Sequence, residues 1–349
     1  MTGTGMAQRG RVAVVTGGTM GIGRATAQAF AREGWSVALL ARGEERLQST
    51  QAELEGMGAK VLAIPTDMAD AAAVDAAAER IELELGPIEA WVNNAMATLI
   101  SPADKISPEE FRRVTDVTYH GQVFGTLAAL RFMKPRNRGS IIQVSSGLGF
   151  RSAPLQSAYC AAKAAVGGFT DALRSELLHD NSAVKLTVVY LPAVNTPQFR
   201  RARNHMGRAQ NAPDPVFDPR LCANAILSAA HSQQREIWVG RSTWQMAAAQ
   251  AVAPAFADQQ AAKMWDAQME EGRLPDDPEG NLFKPGSDDP GVDGPFTDRV
   301  KPARQEYVTS RARDAITLGI AAIGLIGLAA LAAPAVMAAQ LQPRRPLRR

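Results

Sequence analysis

A doubly wound α/β fold, with a mainly parallel sheet covered by helices on both faces, is predicted from three features of the sequence. Short apolar runs rich in Val, Ile and Leu alternate with longer helix-favouring stretches from Val12 to about Gly240. A glycine-rich turn joins the first run to the first helical stretch. Polar motifs stand at the C-terminal ends of the runs, where an open α/β sheet gathers its ligands.

In chain order, Arg11-Val12-Ala13-Val14-Val15 reads as a buried strand that leads into Thr16-Gly17-Gly18-Thr19-Met20-Gly21-Ile22-Gly23. A helix over 24–33 follows, with Gly34 as its stop, and then a strand over 36–40. Helices over 44–57, 71–85, 107–131, 157–178 and 220–230 then alternate with strands over 60–64, 88–92, around Ile141, 185–191 and 236–239. About seven mainly apolar strands in such alternation imply a parallel sheet.

The composition narrows the function. With 21% charged residues and a net charge of +3, the chain reads as globular and offers no case for a nucleic-acid partner. Two cysteines, Cys160 and Cys222, have neither metal-ligand spacing nor a disulfide framework, so no metal is expected and a reducing cytoplasm fits. The stretch from Met1 to Arg11 has no apolar h-region, and no secretory signal is expected.

Two constellations carry chemistry. The spacing Gly17-x-x-x-Gly21-x-Gly23 between a strand and a helix suits a dinucleotide: glycine lets backbone approach the pyrophosphate, and the helix N-terminus offers free N–H groups and positive dipole. Farther on, Tyr159 and Lys163 lie four residues apart in an alanine-rich helical context, so both emerge on one face. A phenol has a reference pKa near ~10. A neighbouring ammonium favours the phenolate, so Lys163 is expected to draw Tyr159 toward the working range. Ser146 closes the apolar run Ile141-Ile142-Gln143-Val144 and completes a hydroxyl/carbonyl proton-transfer grouping.

The region from about Val12 to Gly240 resembles the short-chain dehydrogenase/reductase family, whose fold is Rossmann-like. The motifs that carry the resemblance, in order, are Thr16 to Gly23, Asp67, Asn93-Asn94-Ala95, Ser146, Tyr159 with Lys163, and Pro192 to Thr196. The resemblance implies that Tyr159 is the general acid/base and that Lys163 lowers its pKa and bonds the nicotinamide ribose. Ser146 would hold the substrate oxygen. It also implies cofactor contacts from Thr16, Gly17, Thr19, Gly21, Ile22, Gly23, Asp67, Asn94, Ala95, Pro192 and Thr196, with Asn93 buttressing the sheet. Thr118 stands where the family's fourth catalytic residue, an asparagine, is normal, and Met96 and Ala193 replace usual glycines. A threonine hydroxyl both donates and accepts and can hold a water, though it is shorter. His120 reads as helix surface or packing.

Cofactor choice is read from charge. The second strand ends Leu40-Ala41-Arg42 with no acid before Glu44, so no carboxylate waits for a ribose 2′-OH, whereas Arg42 suits a 2′-phosphate. NADP(H) is predicted. Two segments, 148–156 and 194–217, should frame the substrate; Leu148, Phe150, Pro154 and Leu155 favour an apolar alcohol or ketone. Arg200, Arg201, Arg203 and Arg208 either steer an anionic group or form a solvated face, the commoner outcome for a charge run.

The predicted organisation is therefore a single main dinucleotide-binding catalytic domain over 8–242, a helical extension over 243–274 and a Pro/Gly/Asp-rich linker over 275–310. The last part, 311–349, is read as a transmembrane or interfacial helix with an Arg-rich tail. From Ala315 to Ala339 there are 25 residues without charge; as a helix they would reach about 37 Å, against a hydrocarbon core of about 30 Å. The tail arginines Arg344, Arg345, Arg348 and Arg349 conflict with a single span from a cytoplasmic domain, which an interfacial helix would resolve. The expected protein is an NADP(H)-dependent oxidoreductase acting on an apolar carbonyl, ketone or aldehyde, or on a secondary alcohol. It would be membrane-associated with its catalytic domain in the cytoplasm, the alternative being a soluble cytoplasmic protein. By the resemblance it would be a homo-oligomer paired through the helices beginning near Ser107 and Ser157. The rival is a non-catalytic nucleotide-binding scaffold or redox sensor.

Overall fold

The computed structural model describes residues 10–301 and 306–310, together with 312 and 314. The apolar runs become strands β1 (Val12–Thr16), β2 (Ser36–Ala41), β3 (Val61–Pro65), β4 (Ile88–Asn93), a two-residue β5 (Leu99–Ile100), β6 (Ser140–Ser146), β7 (Lys185–Leu191), a two-residue β8 (Arg203–Asn204), β9 (Glu236–Val239) and β10 (Tyr307–Thr309). Eight of them form one sheet in the order β10-β9-β7-β6-β4-β1-β2-β3, and β5 pairs with β8 apart from it. Seven strands run parallel, as predicted. The eighth, β10, lies antiparallel on β9, with Val308 opposite Trp238, inside the stretch read as a linker.

The two faces of the sheet are filled by different helices because side chains alternate along each strand. On one face Ala13, Val15, Val37 and Leu39 pack against Phe30 of α1 (Gly21–Arg32), Leu47 and Leu54 of α2 (Glu44–Gly56), and Ile226 of α7 (Pro219–His231). On the other, Val12, Val14, Trp91 and Ile141 meet Ile81 of α3 (Ala71–Glu84), Met133 of α5 (Gly121–Arg136) and Leu173 of α6 (Ser157–His179). The order reverses between β1 and β4, and the crevice outside their C-terminal ends is where such sheets take ligands.

The helix predicted over 107–131 is not continuous. Ser107 and Glu110 form a capping box at the start of α4 (Pro108–Thr115). The chain then widens into a π-helical turn over Asp116–His120 before α5 begins. The wide turn carries Thr118, and His120 there faces outward beside Asp116 at 3.0 Å.

A buried polar string crosses the sheet centre. Asn93 Oδ1 accepts from Trp91 Nε1 at 2.8 Å, while its Nδ2 donates to Thr126 Oγ1 (2.9 Å) and Gln143 Oε1 (3.0 Å). Thr126 in turn donates to the Gln122 carbonyl at 2.7 Å. Asn93→Ala strands the Trp91 donor and the Gln143 acceptor, so it is expected to cost about 3 kcal/mol. Urea denaturation should show this as a lower midpoint with an unchanged slope.

Beyond β9 the extension forms α8 (Arg241–Val252) and α9 (Pro254–Ala267), broken at Ala253-Pro254. The segment read as a linker, 275–310, is for the most part irregular but is no linker between bodies. Leu282, Val292 and Phe296 are buried in three separate apolar clusters of the domain. Among the described residues no helix is long and apolar enough to cross a membrane. The expectation for 315–339 and the arginine tail falls outside the described residues.

Candidate active site

Two adjoining cavities open at the C-terminal ends of the strands. The first is the crevice between the turn after β1 and the loop after β4. Met20 precedes α1 without capping it by a side chain, and the first turn of α1 carries no acid; the Gly21 N–H donates to the Gly291 carbonyl at 3.0 Å, and the remaining first-turn N–H groups are those suited to a phosphate. Gly17 has φ +64°, and a Cβ there would come 2.9 Å from Ala95 Cα; a Cβ on Gly23 would come 2.1 Å from the Gly17 carbonyl oxygen. These are cradle positions that only glycine fits, so the chain's residues fit a dinucleotide. Gly17, Thr19, Gly21, Ile22, Gly23 and Arg42 line the crevice, as do Asp67, Asn94, Ala95 and Thr196.

One predicted contact is relocated. Thr16 is buried and does not line the crevice; its hydroxyl donates to the Val92 carbonyl (3.2 Å) and accepts from the N–H groups of Asn94 and Ala95 (2.9 Å each). It fastens the loop after β4 to the glycine turn, and Asn94 Nδ2 completes the clasp on the Thr16 carbonyl at 2.9 Å. Asp67 accepts from Arg113 Nη2 at 2.7 Å and from the Ala69 N–H at 3.0 Å. Burial alone would raise its pKa, but these donors and Arg42 hold the carboxyl below its usual range.

The second cavity contains the grouping predicted for proton transfer. β6 delivers Ser146, the first turns of α6 deliver Tyr159 and Lys163 on one face, and Pro192 follows β7. Thr196 borders both cavities. Ser146 hydrogen-bonds the Tyr159 phenol, and its Oγ also accepts from the Leu148 N–H at 3.1 Å. Lys163 Nζ lies 5.7 Å from the Tyr159 ring centroid and donates to the Val144 carbonyl at 2.7 Å.

The expectation that Lys163 draws the phenol downward is not met by the chain's own groups. Burial raises the Tyr159 pKa, Cys160 adds to the rise, and the Ser146 hydrogen bond only opposes it. Burial also brings Lys163 down to about 7. A desolvated amine that is no longer a firm cation has little charge with which to stabilise a phenolate.

Thr118 does not join this grouping. It is fully buried, and its hydroxyl donates to the Ala97 carbonyl (2.8 Å) and accepts from the Ala97 N–H (2.9 Å). It braces the loop after β4 and lines neither cavity. The predicted proton-relay role is thereby corrected to a structural one.

The substrate side is apolar. Leu148 and Phe199 come from the two framing segments, Met96 from the loop after β4, and Met246 and Met264 from α8 and α9. Phe150, Pro154 and Leu155 depart from expectation and do not line the cavity: the Phe150 ring stacks on Trp238 at 4.7 Å and meets Tyr190 tilted at 4.6 Å, and Leu155 is buried with Ile100 and Met269. The four arginines neither steer an anion nor form a bare solvated face. Arg200 pairs with Glu270, Arg201 with Asp288, Arg203 with Glu110 and Glu279, and Arg208 with Asp266, so they staple later segments to the domain.

Sequence reasoning missed Arg46, Thr66 and Gln198 in the crevice wall, and Asn281 and Pro285 from the irregular segment. Arg46 was visible as the next basic residue one turn after Arg42. Nothing in the local pattern of 281–285 pointed to the crevice.

The family profile described as short chain dehydrogenase matches residues 11–207. The uncharacterized oxidoreductase YxnA of Bacillus subtilis is 30% identical over 250 residues, covering 71% of this chain and 70% of that protein. A fatty acyl-CoA reductase of Acinetobacter baylyi is 32% identical over 212 residues, covering 60% and 71%. Among solved structures, a short-chain dehydrogenase from Streptomyces avermitilis superposes with a TM-score of 0.61 at 25% identity, covering 73% of this chain and 94% of its own.

Proposed function

The chain belongs to the short-chain dehydrogenase family and is an oxidoreductase, and from that premise we propose that it interconverts an apolar ketone or aldehyde and the corresponding alcohol with NADP(H). The observation that carries this reading is the convergence of Ser146, Tyr159 and Lys163 on a cavity whose other walls are mostly apolar. The bound dinucleotide supplies or accepts the hydride. Tyr159 passes its hydroxyl proton to the carbonyl oxygen during reduction and takes it back during oxidation. Ser146 donates a hydrogen bond that strengthens as charge gathers on that oxygen. Lys163 bonds the nicotinamide ribose in this reading, and its position on the face of α6 that carries Tyr159 supports that role.

Arg42 and Arg46 at the crevice wall support NADP(H), since no acid lines the wall at the end of β2 where a 2′-OH would seek one. The methionine-rich wall, and the name of the Acinetobacter relative, support a long apolar carbonyl substrate. Exposed Phe111 on α4, Leu127 on α5 and Leu178 on α6 support the helices that follow Ser107 and Ser157 as the pairing face of a homo-oligomer.

The test is a panel of alkyl aldehydes and ketones of increasing chain length, followed by loss of reduced-cofactor absorbance with NADPH and with NADH. The expected result is turnover that improves with chain length and a preference for NADPH of about tenfold or more, the order of a charge-assisted phosphate contact. A preference for NADH overturns the cofactor reading. Absence of turnover across the panel overturns the substrate reading.

A further inference from the structure

The stretch from Asn281 to Gly291 runs along the adenosine end of the dinucleotide crevice and is held there chiefly by arginines of the nucleotide-binding half. Arg42 donates to three successive backbone carbonyls, those of Asn281 (2.5 Å), Leu282 (3.3 Å) and Phe283 (2.9 Å). Arg46 donates through Nε to the Asp288 carbonyl and through Nη2 to its carboxylate at 3.1 Å. Arg201 closes on the same carboxylate with both terminal nitrogens. Asn281 and Pro285 line the crevice beside Arg42 and Arg46. Asp289, one residue on, turns to Arg24 and Ser49, neither of which lines the crevice.

Asp288 therefore gives an anionic partner to Arg46, a residue of the wall that a 2′-phosphate would reach, although Asp288 does not itself line the crevice. Arg46 is buried, and a buried guanidinium needs an anionic partner. We propose that Asp288 is a tethered competitor for the cofactor's 2′-phosphate and sets the preference between NADP(H) and NAD(H). The proposal rests on the reading of Arg42 and Arg46 as the 2′-phosphate site. A doubly charged phosphate, able to take bonds from both arginines, displaces a single carboxylate from Arg46. Asp288 keeps Arg201 when this happens, so the exchange leaves no acid or base unpaired. The carbonyls on Arg42 are neutral partners and exchange more easily still. NAD(H), with a hydroxyl in place of the phosphate, has no anion with which to displace Asp288 and binds with the carboxylate left on Arg46.

The test is calorimetric titration of the full chain with NADPH and with NADH, for the unaltered protein, Asp288→Asn and Asp289→Asn. Melting curves without added cofactor check that each variant is folded. Asp288→Asn is expected to tighten NADPH binding about tenfold and to leave NADH within about twofold. Asp289→Asn removes the same charge from the same turn without releasing Arg46, so it should move the two cofactors together. Equal effects of both variants on NADPH would mean general charge attraction and overturn the proposal, and so would weaker NADPH binding by Asp288→Asn. NADPH bound only after Asp288→Asn would support the competitor and overturn the NADP(H) assignment. NADPH bound equally by unaltered protein and Asp288→Asn would overturn the competitor and leave that assignment standing. Binding of NADPH by none of the three overturns both.

Discussion

Tyr159→Phe is expected to lower turnover about a thousandfold in the aldehyde or ketone assay while leaving the melting temperature within about 3 °C and NADPH binding intact. The substitution removes one oxygen. The ring stays against the apolar cluster of Val117, Ala158 and Leu282. Ser146 keeps its bond from the Leu148 N–H, so neither partner is stranded at large cost. What disappears is the only hydroxyl of the grouping placed on the same helical face as Lys163. Direction follows from its protonation. Burial holds the phenol protonated through neutrality, so the donor needed for reduction is ready without ionisation. Oxidation needs the phenolate, so alcohol oxidation should climb with pH above neutrality while reduction stays flat over the same range. A variant that keeps turnover within tenfold of the unaltered protein would remove Tyr159 from the chemistry. Another group of the cavity would then have to be the proton donor.

Much of the candidate site was legible because its signals are local. A glycine-rich turn between a β-branched run and a helix can be read from eight residues, and Tyr159 and Lys163 declare a shared face by their spacing. What escaped was set by burial or by distant partners. The ammonium effect on Tyr159 was reasoned for a solvated lysine, whereas Lys163 is only 3% exposed. Thr118 was read as a water holder because its residue type permits it; only the wide turn at Asp116–His120 shows its hydroxyl spent on both polar groups of Ala97.

The segment 281–296 escaped for a different reason. Its apolar anchors Leu282, Val292 and Phe296 follow neither helical nor strand period, because each plugs a separate cluster. A non-local signal did exist. Acids Asp276, Asp277, Glu279, Asp288, Asp289, Asp293 and Asp298 crowd residues 276–298, and arginines without nearby acids crowd 200–208. Complementary charge runs on two segments of one chain can be read as a fastening, and here Arg201–Asp288 and Arg203–Glu279 are that fastening.

Lys163→Met should separate function from stability in the opposite sense to most substitutions of a buried residue. Turnover should fall at least about a hundredfold, since methionine cannot make the bond to the nicotinamide ribose that would orient the cofactor against the phenol. The fold should gain. Lys163 is buried with one hydrogen bond, to the Val144 carbonyl, and that carbonyl keeps a second donor, Gln122 Nε2 at 3.0 Å, when the amine is removed. A methionine of similar reach replaces a costly charge by apolar surface. The sign with pH is fixed by the lowered pKa. In the unfolded chain the amine binds its proton up to about 10.5, but in the fold only up to about 7. Between those limits the unfolded state carries the extra proton, so the stability of the unaltered protein rises with pH across that window. Below pH 7 both states are charged and the full burial penalty is felt. Lys163→Met should therefore melt above the unaltered protein at pH 6, with the gap closing toward pH 10, when both are followed by thermal denaturation without added cofactor. A variant that melts below the unaltered protein at pH 6 would make Lys163 a strut of the fold. Its loss of turnover would then say nothing about proton transfer, and the case for chemistry would stand on Tyr159 and Ser146 alone.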